Sequence, residues 1–260
     1  MNAAHQHQAR IAPATVTRGL TFADLRVALC AGWRDFAAAP QFGLFFAGIY
    51  VAAGMFLYYT LFVLGEVAWL IPVAAGFPII APFIAVGLYE VSRRREHGLP
   101  LSWAAVLGSL RGRGDDQVLL MGGVLFVAFG FWIMIAHGIF AIFMANSGVG
   151  GNTLDAFLAP EGLAMLAVGS VVGAVVALAF CAVTVVSLPM LVDREVDFLT
   201  AIIVSLAAVR CNKPVLMGWA MVLGVGLFLA MLPFFLGLLV VLPVLAHATW
   251  HIYRKLVSAQ

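Results

Sequence analysis

Between Gly162 and Val192 the chain carries no charged residue. A helix needs about 20 apolar residues to cross a hydrocarbon core ~30 Å thick. The stretch exceeds that length, so it either tilts or extends past the bilayer. A soluble fold has no place for it. Composition agrees: 64% of the 260 residues are hydrophobic and 10% are charged, with a mean hydropathy of +1.08. Soluble domains average roughly 45–50% apolar and about 25% charged residues. The chain reads as an integral membrane protein, and its 26 Gly fit helices that pack closely in lipid.

The same length test finds six apolar runs, at about 41–64, 68–91, 118–144, 162–190, 214–233 and 236–255. The fold class is therefore all-α, a six-helix transmembrane bundle over residues 21–257. Residues 1–20, rich in Ala, Gln, His and Thr and without periodicity, read as a disordered tail. A cleavable secretory signal would place its short apolar core nearer the start, so the first span serves as its own insertion signal. Pro233-Phe234-Phe235-Leu236-Gly237 is a tight turn between the last two spans, and 146–160 is a longer polar connection on the same side.

Orientation follows from the 14 basic residues. Arg10, Arg18, Arg26 and Arg34 precede the first span. Arg93, Arg94, Arg95, Arg111 and Arg113 lie between the second and third. Arg194, Arg210 and Lys213 lie between the fourth and fifth, and Arg254 and Lys255 follow the sixth. All fall on one face, which the positive-inside rule makes cytoplasmic, with both termini. A net charge of +2 gives no reason to expect nucleic acid as a partner.

The basic segments also carry helical periodicity. Phe22, Leu25, Leu29, Trp33 and Phe36 form an apolar stripe with Asp24, Arg26, Arg34 and Asp35 opposite, ending at Pro40. Trp103, Val106, Leu107 and Leu110 repeat the pattern, as do Phe198, Ile202, Leu206 and Val209. Each reads as an amphipathic helix lying in the inner interface. The chain thus resembles one unit used three times: interfacial helix, span out, turn, span back. Pro82, Pro189 and Pro243 mark the returning spans, and eight residues after each stand Glu90, Asp197 and His251. This suggests a threefold internal repeat.

Few residues carry chemistry. His137 and His247 differ in depth by roughly 18 Å, so they do not flank one haem. His247 and His251 share a helix face at i and i+4, the spacing of many metal sites. Glu90, Asp193 and Asp197 lie at the same inner level and are the remaining candidate ligands. The reading preferred here is a structural polar cluster of Asp193, Asp197, His247, His251 and Arg254, with no metal and no cofactor. Cys30, Cys181 and Cys211 lack C-x-x-C spacing and give neither a disulfide framework nor a zinc site. Nucleotide-loop, nucleophile-elbow and zinc-protease motifs are absent from the sequence. Pro72, Gly76, Pro78 and Pro82 kink the second run. Gly169 and Gly173, extended by Ala177, make a G-x-x-x-G step for a close helix contact, inside the bundle or to another subunit.

Two motifs resemble a known family. Leu188-Pro189-Met190-Leu191-Val192-Asp193-Arg194-Glu195-Val196-Asp197 is the first. The second runs from Gly237 to Arg254 and contains Leu242-Pro243-Val244-Leu245-Ala246-His247-Ala248-Thr249-Trp250-His251. Both are similar to a family of bacterial multipass inner-membrane proteins catalogued as a domain of unknown function. Some of its members carry a cytochrome c oxidase subunit label. The resemblance implies a six-helix inner-membrane protein and at most an accessory role, since the haem and copper histidines of a catalytic subunit are not here. Where the family pattern has Gly before the first His, this chain has Ala246. Three functions follow in order of preference: an accessory or assembly protein bound to another membrane protein, a transporter of an apolar or lipid-like molecule using the kinked second run, and an inner-face metal site or enzyme.

Overall fold

The computed structural model describes residues 15–59, 84–111, 116–144 and 158–258. Helix α1 (Phe22–Ala38) starts at a capping box in which Thr21 and Asp24 satisfy each other's backbone N–H. It stops at Ala39, and Pro40, which has no N–H to leave unpaired, opens α2 (Pro40–Tyr58). Helix α3 spans 84–96. Helix α4 (Trp103–Gly108), capped by Ser102, runs into a single 3-10 turn at Ser109–Arg111. Then come α5 (Gln117–Met144), α6 (Pro160–Asp193), α7 (Phe198–Cys211) with Asp197 as its cap, α8 (Lys213–Met231) and α9 (Leu238–Leu256). Two strands of two residues each, β1 (Thr15–Val16) and β2 (Val257–Ser258), pair antiparallel beside the end of α9.

The expected all-helical architecture is present. Among the described residues four helices are long and apolar enough to cross a membrane: α2, α5, α6 and α8. The second expected span lies mostly outside the described residues, and α3 takes in its C-terminal end. The sixth corresponds to α9, 19 residues long, but His247, Thr249, His251, Arg254 and Lys255 make its C-terminal half polar. That half is shielded by protein: His247, Ala248, Thr249, Trp250, Ile252 and Tyr253 are all buried.

Helix α6 resolves the question raised by its length. At 34 residues it is about 51 Å long, well beyond a ~30 Å core. Eight residues near its C-terminal end, Val185 to Val192, are buried throughout, so about 12 Å of the surplus runs under protein cover. One turn before Pro189, Ser205 of α7 donates to Ala182 O at 2.7 Å and accepts from Val186 N at 3.3 Å. The hydroxyl bridges the donor and acceptor of one helical step, an insertion of the kind that bends helices.

The three amphipathic helices form where expected, but in α1 and α7 the most buried positions lie beside the expected stripe. In α1 the buried residues are Leu25, Ala28, Gly32, Asp35 and Phe36, whereas Phe22 and Trp33 are more than half exposed. The cause is Gly32. A Cβ there would stand 2.6 Å from Val244 O and 2.7 Å from Ala248 N, so the backbones of α1 and α9 touch. Small residues permit that approach and a bulky stripe does not. Helix α7 likewise buries Ala201, Ser205 and Ala208 and leaves Leu199 and Ile203 exposed. In α4, Val106 is buried and Trp103 lies over Phe42 and Phe45, with ring centroids 4.5 and 5.0 Å away.

The turn between α8 and α9 spans 232–237, as expected. Phe234 and Phe235 both have positive φ, 50° and 64°, which is strained for bulky side chains. Neighbours hold them there. Phe234 meets the Tyr58 ring edge-on at 5.8 Å. The Phe235 ring occupies the space left by Gly54, 2.7 Å from where a Cβ would sit.

Residues 15–20, which composition assigns to the tail, form a strap instead. Thr17 N donates to Leu256 O at 2.8 Å. Asn212, between α7 and α8, accepts from Gly19 N and Leu20 N and donates to Thr17 O and Ala208 O.

Candidate functional site

Polar side chains gather where α1, α3, α6 and α9 end on the basic face. Asp35 is the centre. Burial raises the cost of its charge, but His251, Ser92 and Arg95 all donate to it, and together they hold the carboxyl down at about 2 from an ordinary 3.8. Arg95 Nε donates to Oδ1 at 2.9 Å. Ser92 Oγ and His251 Nε2 approach Oδ2 at 2.6 and 2.9 Å.

Ser92 also sits 2.8 Å from His247 Nδ1. A serine has one proton, and an ionised carboxylate only accepts. Ser92 therefore donates to Asp35, and His247 Nδ1–H donates to Ser92. The tautomer is assigned from this proton balance. It leaves His247 Nε2 as an acceptor, fully buried and without a partner among the described residues. Serine, histidine and aspartate meet here in the wrong order for nucleophilic catalysis. In a triad the histidine stands between the other two and removes the serine proton. Here the hydroxyl stands in the middle, and its proton is already committed to the carboxylate.

A second set of bonds joins α9 to α6 and α3. Asp193 Oδ2 accepts from Tyr253 OH at 2.8 Å and from Arg254 Nη1 at 3.1 Å. Glu96 accepts from Trp250 Nε1 and from Arg254 Nε, both at 3.0 Å. Lys255 pairs with Asp24 on α1. Glu90 is held within α3, by Arg93 through two bonds of 2.7 Å and by Arg94 at 2.7 Å.

Each sequence-derived candidate can now be placed. Asp193 and Arg254 meet. His247 and His251 join one network, through Ser92 and Asp35, but do not bond to each other. Asp197 is elsewhere, capping α7 through Thr200 N at 2.8 Å. Glu90, Asp197 and His251, equivalent in the expected repeat, have three unrelated sets of partners. Among the described residues no group of three or more His, Cys, Asp or Glu is arranged to hold a metal ion. His137 is exposed, with Nδ1–H donating to Ile133 O at 2.9 Å. In the small-residue stripe, Gly173 faces Trp132 of α5, whose ring lies 3.3 Å from a Cβ position, while a Cβ on Gly169 would meet no atom of another element within 4 Å among the described residues. Ala177 is exposed.

Sequence reasoning missed Asp35, Ser92, Arg95, Glu96 and Asn212. Asp35 was readable in one respect: it continues the small-residue line Ala28–Gly32 rather than the bulky stripe. Nothing local distinguishes Ser92 or Glu96, whose partners are 57 and 158 positions away.

Residues 70–193 match the family described as "Predicted integral membrane protein (DUF2189)". The matched region takes in α3 to α6, with Glu90, Asp193 and the Gly169–Ala177 stripe. It stops before α9, so the DUF2189 match does not bear on the His247 and His251 motif, and its description carries no oxidase label. No curated protein and no solved structure matches the chain. The chain is an integral membrane protein with several apolar helices of crossing length, and the stretch similar to that family forms its middle.

Proposed function

We propose that the protein is a non-catalytic accessory or assembly subunit of a membrane complex, acting through its spans on another membrane protein. In this reading it sits in a bacterial inner membrane, crosses six times with α9 as the last span, and keeps both termini cytoplasmic. The supporting observation is how the titratable groups are used. Asp35, Glu90, Glu96, Asp193 and Asp24 are each bonded to basic or histidine side chains of the same chain. Most of these pairs tie one helix to another: Asp35 joins α1 to α3 and α9, Glu96 joins α3 to α9, Asp193 joins α6 to α9, and Asp24 joins α1 to α9. What the chain offers outward is apolar helix surface, including the open Gly169 and Ala177 positions of α6. Such a stripe lets a foreign helix approach closely. Cytochrome c oxidase is the first complex to test, because members of the resembling family carry that label.

The test is mild-detergent purification from the native membrane with identification of the co-purifying proteins. Subunits of one membrane complex are expected, and Gly169→Leu should release them. Gly169 is the right position because a Cβ there meets nothing within 4 Å among the described residues, whereas one on Gly173 would stand 3.3 Å from the Trp132 ring. A lone monomer that moves a lipid or small solute in proteoliposomes would sink the accessory reading and promote a transporter.

A further inference from the structure

Half of the described basic residues are consumed internally: Arg93, Arg94, Arg95, Arg194, Arg254 and Lys255 all pair with carboxylates. Arg18, Arg210 and Lys213 do not. Among the described residues they have no carboxylate partner, and all three are exposed. The Asn212 clasp brings them together. Its side chain bonds the backbone on both sides of Arg18, at Thr17 O (3.0 Å) and Gly19 N (3.2 Å). Arg210 and Lys213 are two residues before and one after Asn212. Asp24, which lines one small cleft with Thr17, Gly19 and Leu20, is occupied by Lys255 and Thr21. Three cations without a carboxylate partner among the described residues thus flank Asn212 at the start of α8.

Below them the surface turns apolar along one line. Lys213, Met217, Met221, Val225 and Phe228 follow at steps of four, four, four and three, which is one face of a helix. Met217, Met221, Val225 and Phe228 are 40, 69, 52 and 62% exposed. Phe22 lies beside this line, its ring over Gly218, where a Cβ would be 2.8 Å away. Cations at the head of an exposed apolar stripe on a membrane-crossing helix complement an amphiphile with an anionic head and acyl chains.

We propose that this is a binding site for an anionic phospholipid, with its headgroup phosphate on Arg18, Arg210 and Lys213 and an acyl chain along Met217–Phe228. A free phosphate would use the cations and ignore the stripe. The site depends on α8 crossing the membrane and not on the accessory role, so each can fail alone.

The test is native mass spectrometry of the full chain in non-ionic detergent, titrated with phosphatidylglycerol or with phosphatidylcholine of the same acyl chains. The wild type should bind phosphatidylglycerol about tenfold more tightly, the scale expected of a few basic side chains near anionic headgroups. Arg18→Gln/Arg210→Gln/Lys213→Gln should bring the ratio near unity. These side chains are exposed and unpaired, so the fold survives their loss. Arg26→Gln/Arg34→Gln, removing two other exposed charges, should leave the preference in place. Asn212→Ala keeps every charge but releases the strap, and should lower the ratio several-fold. Equal binding of the two lipids by the wild type would overturn the proposal. So would a preference that survives the triple variant, falls equally in the Arg26/Arg34 variant, or is abolished by millimolar inorganic phosphate.

Discussion

Asp35 carries the charge on which three helices converge. It lies on α1, bonds Ser92 and Arg95 of α3 and His251 of α9, and is almost completely enclosed. Removing one member of a buried charged network leaves its partners uncompensated, which costs more than the network contributes by its presence. Asp35→Asn should therefore lower stability by about 2–4 kcal/mol, read as thermal unfolding in detergent by circular dichroism. The pH dependence has a definite sign. The folded carboxyl titrates near 2 and an ordinary one near 3.8. Its stabilising contribution is thus complete above about pH 4 and is lost as pH falls toward 2. The wild type should lose stability across that window, and Asp35→Asn should lack that part of the loss. An unchanged acid profile in the variant would mean that Asp35 is not the ionised centre.

At the scale of elements, packing is decided where backbones approach. Gly32→Ala places a methyl group into Val244 O and Ala248 N, backbone atoms that cannot rotate away. The variant should lose about 1–3 kcal/mol, as overpacked sites do. Gly48→Ala, where a Cβ meets nothing within 4 Å among the described residues, should instead be neutral or gain up to about 1 kcal/mol of helix propensity. Equal effects in the same melting assay would show that α1 does not pack on α9 through Gly32. This pair also explains what the sequence could and could not reveal. Helix existence and limits were legible for α1, α5, α7 and α8, because charge-free runs, capping residues and Pro40 or Pro214 mark them locally. Which face of α1 is buried was not. Two stripes compete on that helix, and hydropathy favours the bulky one with Trp33, whereas closest approach to α9 favours Ala28 and Gly32. The choice depends on a partner more than 200 residues away. The same holds for the site: Asp193 and Arg254 stand out as charges at span ends, whereas Ser92 and Asn212 become informative only once their distant partners are known.

For the whole molecule, contacts among the described residues tie several basic segments to one end: Arg95 to α1 and α9 through Asp35, Arg254 to α6 and α3, and the backbone beside Arg18 to the α7–α8 junction through Asn212. Moving that end across a membrane would carry many charges through hydrocarbon, so it should remain cytoplasmic. Two native cysteines report on it. Cys30 stands between Arg26 and Arg34 on one face of α1, Cys211 lies beside Arg210, and both are exposed, whereas Cys181 is half-buried in α6. A membrane-impermeant maleimide added to intact cells should label neither Cys30 nor Cys211, and both should react in inverted membrane vesicles. With Cys30, Cys181 and Cys211 replaced by Ser, a cysteine introduced as Asn152→Cys should give the opposite pattern, reactive from outside and protected in inverted vesicles. Asn152 falls in the long polar connection between the third and fourth runs and outside the described residues, so it tests the sequence-derived side independently of the polar lattice. Labelling of Cys30 and Cys211 from outside would invert the orientation. Labelling of all three positions from one side would remove an odd number of crossings between them, and with it the six-span reading.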